Sequence, residues 1–292
     1  MAELKLIIGS KTYSSWSLRP WLLLRYHNAA FKEVSVQLNT PETKQLIQEF
    51  SPSGKVPVLI NGPEKVWESL AICDYAAEIL KLPAAWPADT VLRYQARSLA
   101  CEMHAGFADL RRELPMDCRR SPSPHPISAA VAHDITRIRN IWREGREAHG
   151  KNGEWLFGKF GIVDAMYAPV ALRLHSYGVA LDGPERDYLN SMLNLPALRE
   201  WLGAAMLESV NAPTAVAAAS AQHVVPVAAP AAHVAAAKPA KVATSAPKAH
   251  RAVEPASPPP PTPTVAQSFP QSGAQLVSNQ GGVRVTSNII PD

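Results

Sequence analysis

Apolar and polar positions change their spacing several times along the first 80 residues of the chain. Residues 31–38 alternate with a period of two, which is typical of a strand with one buried face. The pattern predicts further strands at 5–8, 56–60 and 65–67, and helices at 17–26, 41–50 and 69–80. Thr40 before Pro41 predicts a capped helix start, and Asn61-Gly62 predicts a hairpin turn.

The pattern becomes helical throughout after Pro83 and Pro87 interrupt it. Helices are predicted at 91–114, 128–148, 162–177, 186–193 and 196–207. In the first part, the order strand–helix–strand–helix–strand–strand–helix is that of a thioredoxin-like α/β fold. We therefore predict a thioredoxin-like domain at 1–82, a linker at 83–89 and an all-helical domain at 90–208.

The composition changes abruptly after residue 208. Residues 209–292 contain alanine-rich runs, a proline block at 258–261 and a single aromatic residue, Phe269. Such a segment buries too little apolar surface to offset the entropy of ordering, so we predict a disordered tail. An inert extension is the preferred interpretation, and an interaction arm is the alternative.

The charge balance argues against a nucleic-acid partner. The tail carries five of the 29 Lys and Arg residues and two of the 25 Asp and Glu residues. The preceding 208 residues are therefore almost neutral and have no basic footprint of the kind that binds nucleic acid. The sequence pI near 9.0 comes partly from the tail.

Hydropathy and cysteine usage indicate a cytoplasmic protein. The chain is 47% hydrophobic, but no run reaches the ~18 apolar residues of a membrane span. Residues 1–10 lack the basic and apolar regions of a secretory signal. Cys73, Cys101 and Cys118 are too few and too scattered for a disulfide framework or a zinc site, so we expect no metal.

Three local motifs identify the chain as similar to a known family. They are YSSWSLR at 13–19, SPSGKVPVL at 51–59 and ESLAI at 68–72. In this order and spacing they resemble the cytosolic glutathione S-transferases over about residues 4–207. The serine pair most resembles the serine-type, zeta-like members, which include maleylacetoacetate isomerases. The resemblance implies a thioredoxin-like domain followed by an all-α domain.

The resemblance also implies which residues bind glutathione, the expected co-substrate. Val56-Pro57 resembles the cis-proline of the fold, so the Val56 backbone would pair with the cysteinyl unit of the tripeptide. Ser69 is predicted to cap a helix whose start would bind the γ-glutamyl carboxylate. Glu68 would accept from the ammonium group, and Lys55 would reach the glycyl end.

A serine hydroxyl near the first helix is expected to activate the thiol. A free thiol is mostly protonated at neutral pH, and a hydrogen bond at a helix start favours the thiolate. The zeta-like pattern gives this role to its first serine, which matches Ser14, with Ser15 as a supporting donor. Tyr13 is a third possibility, because other transferase classes use a tyrosine hydroxyl.

The chain departs from the zeta-like pattern at several positions. Trp16 stands where that pattern has a cysteine, which excludes disulfide chemistry at this loop. Gly161 replaces the hydroxyl residue of a capping box completed by Asp164, which we interpret as structural. The zeta-like isomerases use a late arginine to bind an acidic substrate, and Arg173 comes about one helical turn too early for it.

The electrophile pocket has no clear motif. Trp16 from the first helix and Met103, His104 and Phe107 from the predicted long helix are its candidate lining residues. We predict a homodimeric glutathione transferase that attacks a small electrophile. A glutathione-dependent cis–trans isomerase is one alternative, and a non-catalytic adaptor similar to the stringent starvation protein is another.

Overall fold

The computed structural model describes residues 3–208, and the predicted tail lies outside these residues. A four-stranded sheet has the order β2-β1-β3-β4, in which β1 is parallel to β2 and antiparallel to β3, and β3 and β4 form a hairpin. The elements are β1 (Leu4–Gly9), α1 (Ser15–Tyr26), β2 (Lys32–Val36), α2 (Thr43–Phe50), β3 (Val58–Asn61), β4 (Glu64–Trp67) and α3 (Ser69–Ile79). This confirms the predicted thioredoxin-like arrangement.

The alternation of side chains in the central strands separates two packed layers. On one face, Ile7 and Val58 pack with Val36 and with Ile47 of α2. On the other face, apolar residues of β1 and β3 join a large core shared with α1, α3 and the helices that follow. The sheet is thereby covered on both sides, which explains why its central strands are almost continuously apolar.

The second half of the described chain is helical, as predicted. Its elements are α4 (Thr90–Ala105), α5 (Ala108–Glu113), α6 (Ala129–His149), α7 (Ile162–Ser176), α8 (Gly183–Asn194) and α9 (Pro196–Leu207). Nearly every residue of α7 is buried, and the helix packs against α1, α4 and α8. None of the helices in residues 3–208 is long and apolar enough to cross a membrane.

The capping box at the start of α7 is structural, as predicted. The Asp164 carboxylate accepts hydrogen bonds from the N–H groups of Gly161 (2.9 Å) and Leu156 (3.1 Å) and from the Tyr188 hydroxyl (3.1 Å). Burial raises the pKa of Asp164 to about 6. One carboxylate thus ties the helix start to the preceding loop and to α8.

The prediction of one helix over 91–114 is wrong, because the helix is interrupted at Gly106 and Phe107. Phe107 adopts a left-handed conformation with φ of 57°. The Arg111 guanidinium donates to the carbonyl of His104 (3.1 Å) and to that of Met103. A side chain therefore satisfies carbonyls that the break leaves without helical N–H partners.

Several predicted boundaries differ from the structure by one to three residues, and two of them concern local motifs. The helix predicted from Pro41 begins at Thr43, whose hydroxyl accepts from the Thr40 N–H (3.0 Å) and donates to the Gln37 carbonyl (2.7 Å). The hairpin loop is Gly62 and Pro63, since Asn61 still pairs with Glu64 in the ladder. In both cases hydrogen bonds beyond the local motif shift the boundary by one or two residues.

Candidate functional site

Ser14 lies at the N-terminal cap of α1, where the first motif predicts it. Its hydroxyl oxygen accepts from the Ser17 N–H (3.3 Å), and its proton is donated to the Ser17 hydroxyl (2.7 Å). Ser17 in turn accepts from the Gly9 N–H at 3.1 Å, which anchors the turn to the end of β1. Ser14 therefore needs a rotation about χ1 or of its hydroxyl before it donates to a bound sulfur.

Ser15 has a different partner. Its hydroxyl oxygen accepts a hydrogen bond from Nη2 of Arg173 at 3.3 Å, which leaves its own proton free to donate elsewhere. Arg173 is buried and also donates to the carbonyl of Leu114. Although Arg173 precedes the position of the zeta-like arginine, it contacts the serine pair, so its earlier position in α7 does not remove it from this site.

Glu68 and Ser69 mark the turn from β4 into α3. The capping position belongs to Glu68, with φ of 69°, and not to Ser69 as predicted; Ser69 is the first helical residue. The buried Ser69 hydroxyl accepts from Nη1 of Arg19 at 3.3 Å. The first helical bond runs from the Ile72 N–H to the Glu68 carbonyl, so the amides of 69–71 point out of the helix start.

The Val56–Pro57 peptide bond is cis, as predicted. The backbone N–H and carbonyl of Val56 form no hydrogen bond with any other residue in the range 3–208. Lys55 beside them is exposed, and its own N–H donates to the Ser51 hydroxyl at 3.2 Å. Val56 therefore has a donor and an acceptor available for an extended peptide.

The half-buried Trp16 ring contacts two arginines and His104. The guanidinium carbons of Arg19 and Arg111 are 4.3 Å and 4.8 Å from its ring centroid, within cation–π range. His104 of α4 meets the same ring edge-on at 5.3 Å, and its Nε2 is 3.5 Å from the Glu68 carboxylate. Trp16 and His104, both predicted pocket residues, thus lie side by side.

Three buried or half-buried arginines make this region electropositive. Burial lowers the pKa of Arg111 and that of Arg173 to about 10, and burial with the charges of Arg111 and Arg173 lowers the pKa of Arg19 well below its usual range. No carboxylate of residues 3–208 forms a salt bridge with any of the three. Because buried unpaired charges are costly, a bound anion would stabilise this cluster.

His104 is uncharged at neutral pH. Burial lowers its pKa, and the Arg19 charge lowers it further, while Glu68 acts in the opposite direction. Its Nδ1 is buried and has no hydrogen-bond partner in the described part of the chain. The imidazole is therefore a neutral group between the start of α3 and Trp16.

The remaining candidates are Met103, Phe107 and Tyr13. Met103 and Phe107 are buried in the main hydrophobic core. Burial and the Asp117 charge raise the pKa of Tyr13, so its phenol stays protonated.

No role was predicted from the sequence for Arg19 or Arg111. Arg19 ends the first motif, and Arg111 follows His104 by seven residues. In the continuous helix predicted over 91–114, this spacing places Arg111 on the same side as His104, so it was an available signal although the helix breaks at Phe107.

Sequence comparisons agree with the motifs. Residues 13–79 match the glutathione S-transferase N-terminal domain family. A probable maleylacetoacetate isomerase from Caenorhabditis elegans is 29% identical over 110 residues, which are 38% of this chain and 51% of that protein. A dichloromethane dehalogenase from Methylophilus leisingeri is 31% identical over 67 residues, which are 22% of this chain and 25% of that protein. The chain thus aligns with about half of the first relative and a quarter of the second.

Solved structures share the fold. A glutathione transferase homologue from Burkholderia gl BGR1 with bound glutathione has a TM-score of 0.54 and 20% identity, covering 71% of this chain and 100% of that one. Ure2p in complex with S-hexylglutathione has a TM-score of 0.53 and 17% identity, covering 69% and 98%. Residues 13–79 therefore match a glutathione S-transferase N-terminal domain, and residues 3–208 share the fold of glutathione transferases.

Proposed function

We propose that the chain binds glutathione and activates its thiol for attack on a small electrophile. The observation that carries this proposal is the set of contacts joining the two motif-bearing helix starts. Arg19 links Trp16 of α1 to Ser69 of α3, and Arg173 links α7 to Ser15. Positive charge beside a helix start is the environment that lowers the pKa of a thiol.

Each part of the tripeptide has a matching group. The amides of 69–71 and the Ser69 hydroxyl suit the γ-glutamyl carboxylate, and the Glu68 carboxylate suits the adjacent ammonium. The free backbone groups of Val56 suit the cysteinyl unit, and Lys55 suits the glycyl carboxylate. In the proposed complex the sulfur faces the serine pair, with Ser14 and Ser15 as its hydroxyl donors.

Retention of the full chain on immobilised glutathione, followed by conjugation of an aryl halide, tests this function. We expect retention, elution by free glutathione and turnover. Glu200→Ala, which removes an exposed ion pair between α9 and Arg25, serves as a control that behaves like the parent. A chain that neither binds glutathione nor conjugates the halide supports the adaptor alternative.

The arginine cluster favours a second candidate, glutathione-dependent isomerisation of an acidic compound. The Arg173–Ser15 contact places a buried cation beside the position proposed for the sulfur. An anionic substrate would supply the counter-charge that these arginines lack among residues 3–208. Turnover of maleylacetone at a rate above that of aryl halides would favour isomerisation over conjugation.

We infer further that the protein is a cytoplasmic homodimer with a glutathione-binding domain at 1–82 and a helical domain at 90–208. The free thiols of Cys73, Cys101 and Cys118 agree with a reducing compartment. The exposed side chains of Trp67 in β4 and of Val91 and Tyr94 in α4 provide apolar surface for a second copy. Light scattering of the full chain measures the dimer directly.

A further inference from the structure

We propose that Glu208, at the end of α9, is a positioning residue that holds the loop before Ser14 and thereby sets the affinity for glutathione. This inference rests on the proposed function. Glu208 is separated from the loop by almost the whole described chain, and none of the three motifs includes it. The contacts of its carboxylate carry the argument.

Both carboxylate oxygens of Glu208 bind the loop between β1 and α1. Oε1 accepts from the Lys11 N–H at 2.8 Å. Oε2 accepts from the Thr12 N–H at 2.9 Å and from the Thr12 hydroxyl at 3.0 Å. Three donors therefore converge on one ionised acceptor, and hydrogen bonds to charged groups are the stronger kind.

The opposite side of the same loop is also held. The Lys11 carbonyl accepts from the Trp201 indole N–H at 2.9 Å and from the Cys118 thiol at 3.4 Å. The Thr12 carbonyl accepts from the Cys118 N–H at 3.0 Å. The carbonyls of Lys11 and Thr12 are thus bound by α9 and by the segment after α5, and Glu208 supplies the acceptor for both amides.

The loop transmits this restraint to the serine turn. The Ser10 carbonyl accepts from the N–H groups of Tyr13 (3.2 Å) and Ser14 (2.8 Å), so residues 10–14 form one tight turn. Thr12 is fully buried, and without Glu208 its amide would lose its acceptor. Because a buried unpaired amide is costly, the turn would shift to reach a new partner and would carry Ser14 with it.

The experiment compares Glu208→Ala and Glu208→Gln with the control Glu200→Ala in the full chain. Glu200 lies within α9 and Glu208 caps its end, and both contact the first domain, but Glu200 pairs with Arg25 at the exposed far end of α1. We expect Glu208→Ala to raise KM for glutathione about tenfold or more, with KM for the electrophile within about twofold of the parent. Glu208→Gln keeps one acceptor oxygen, so its KM for glutathione should lie between those of Glu208→Ala and the parent.

Hydrogen exchange at Lys11 and Thr12 provides a readout independent of turnover. We expect these amides to exchange faster in Glu208→Ala and to be unaffected in Glu200→Ala. Unchanged exchange, or a glutathione KM equal to that of the control, overturns the inference. Equal changes in both KM values also overturn it, because the effect would then not be confined to glutathione.

Failure of the proposed function has a different signature. If the parent chain does not bind glutathione, the transferase function is wrong, and the role of Glu208 in glutathione affinity is wrong with it. If the parent binds glutathione and Glu208→Ala binds it equally well, the transferase function stands and only the positioning role fails.

Discussion

The two sides of the candidate site are built in different ways. The proposed glutathione side consists of backbone groups at Val56 and at the start of α3, together with a capping serine, and its residues come from short contiguous motifs. The proposed electrophile side consists of long charged side chains, chiefly Arg111 and Arg173, that come from separate helices. The first side therefore depends on local backbone geometry, and the second depends on how the helices pack.

The largest effect is expected from Arg173→Met. This substitution tests whether the electrophile side acts separately from the glutathione side. Loss of a buried cation that contacts Ser15 should lower kcat/KM for a carboxylate-bearing electrophile about 100-fold, since a charge-assisted contact contributes ~1.5–3 kcal/mol. A neutral electrophile should lose about tenfold or less. Steady-state kinetics with matched acidic and neutral substrates measures the ratio of the two kcat/KM values.

The control for this substitution is Arg120→Met. Arg120 also donates to a carbonyl of α7, that of Ser176 at 3.2 Å, but it stacks on Tyr177 away from the serine pair. Arg120→Met should leave the ratio of kcat/KM for the acidic electrophile to kcat/KM for the neutral electrophile unchanged. If Arg173→Met lowers both rates equally, the distinction between the two sides of the site does not hold.

A smaller effect is expected from replacing either serine of the pair, Ser14 or Ser15, by alanine. Ser15→Ala and Ser14→Ala should each lower the turnover number about tenfold by raising the pKa of the bound thiol by about one unit. Ser15 has the free proton in this structure, whereas the Ser14 proton is bound to Ser17, so Ser15→Ala should have the larger effect. The thiolate absorbance of bound glutathione, measured against pH, determines both pKa values. A larger shift in Ser14→Ala would show that its hydroxyl rotates on binding.

The pH dependence of glutathione binding should depend on His104. Its pKa lies below the ordinary value, so the imidazole is neutral at pH 7 and gains a proton only as the pH falls below about 6.5. Protonated His104 would compete with the ammonium of glutathione for Glu68 and raise KM for glutathione in acid. His104→Phe should remove this rise while leaving KM at pH 7.5 within about twofold. If KM for glutathione rises equally at low pH in His104→Phe and in the parent, another group is responsible for the rise.

The smallest effect is expected from deletion of residues 209–292. The deletion keeps Glu208, and with it every contact of the loop before Ser14 that the structure describes. We expect kcat and KM within about twofold of the full chain and an unchanged melting temperature, since surface changes away from such contacts are usually close to neutral. A loss of activity would contradict the interpretation of the tail as an inert extension.

The residues predicted to bind glutathione have local determinants. A cis-proline, a capping serine and a helix start each depend on a few adjacent residues, and the structure has Val56–Pro57, Ser14 and Ser69 close to where the motifs put them. The displaced helix start at Thr43 and the cap at Glu68 show the limit of this reasoning. The Thr43 hydroxyl bonds to the Gln37 carbonyl, outside the Thr40-Pro41 motif, and the cap before α3 lies one residue earlier than predicted.

The sequence by itself determined the order of elements and the thioredoxin-like and helical halves, because periodicity and turn chemistry act over a few residues. Its motifs also predicted the residues of the proposed glutathione side. Only the tertiary structure brought Arg173 to Ser15, Arg111 to Trp16 and Glu208 to Thr12. These contacts depend on how helices pack and where one of them breaks. Charges separated by 90 to 200 residues have no local pattern to predict them, yet they decide the electrostatics of the site.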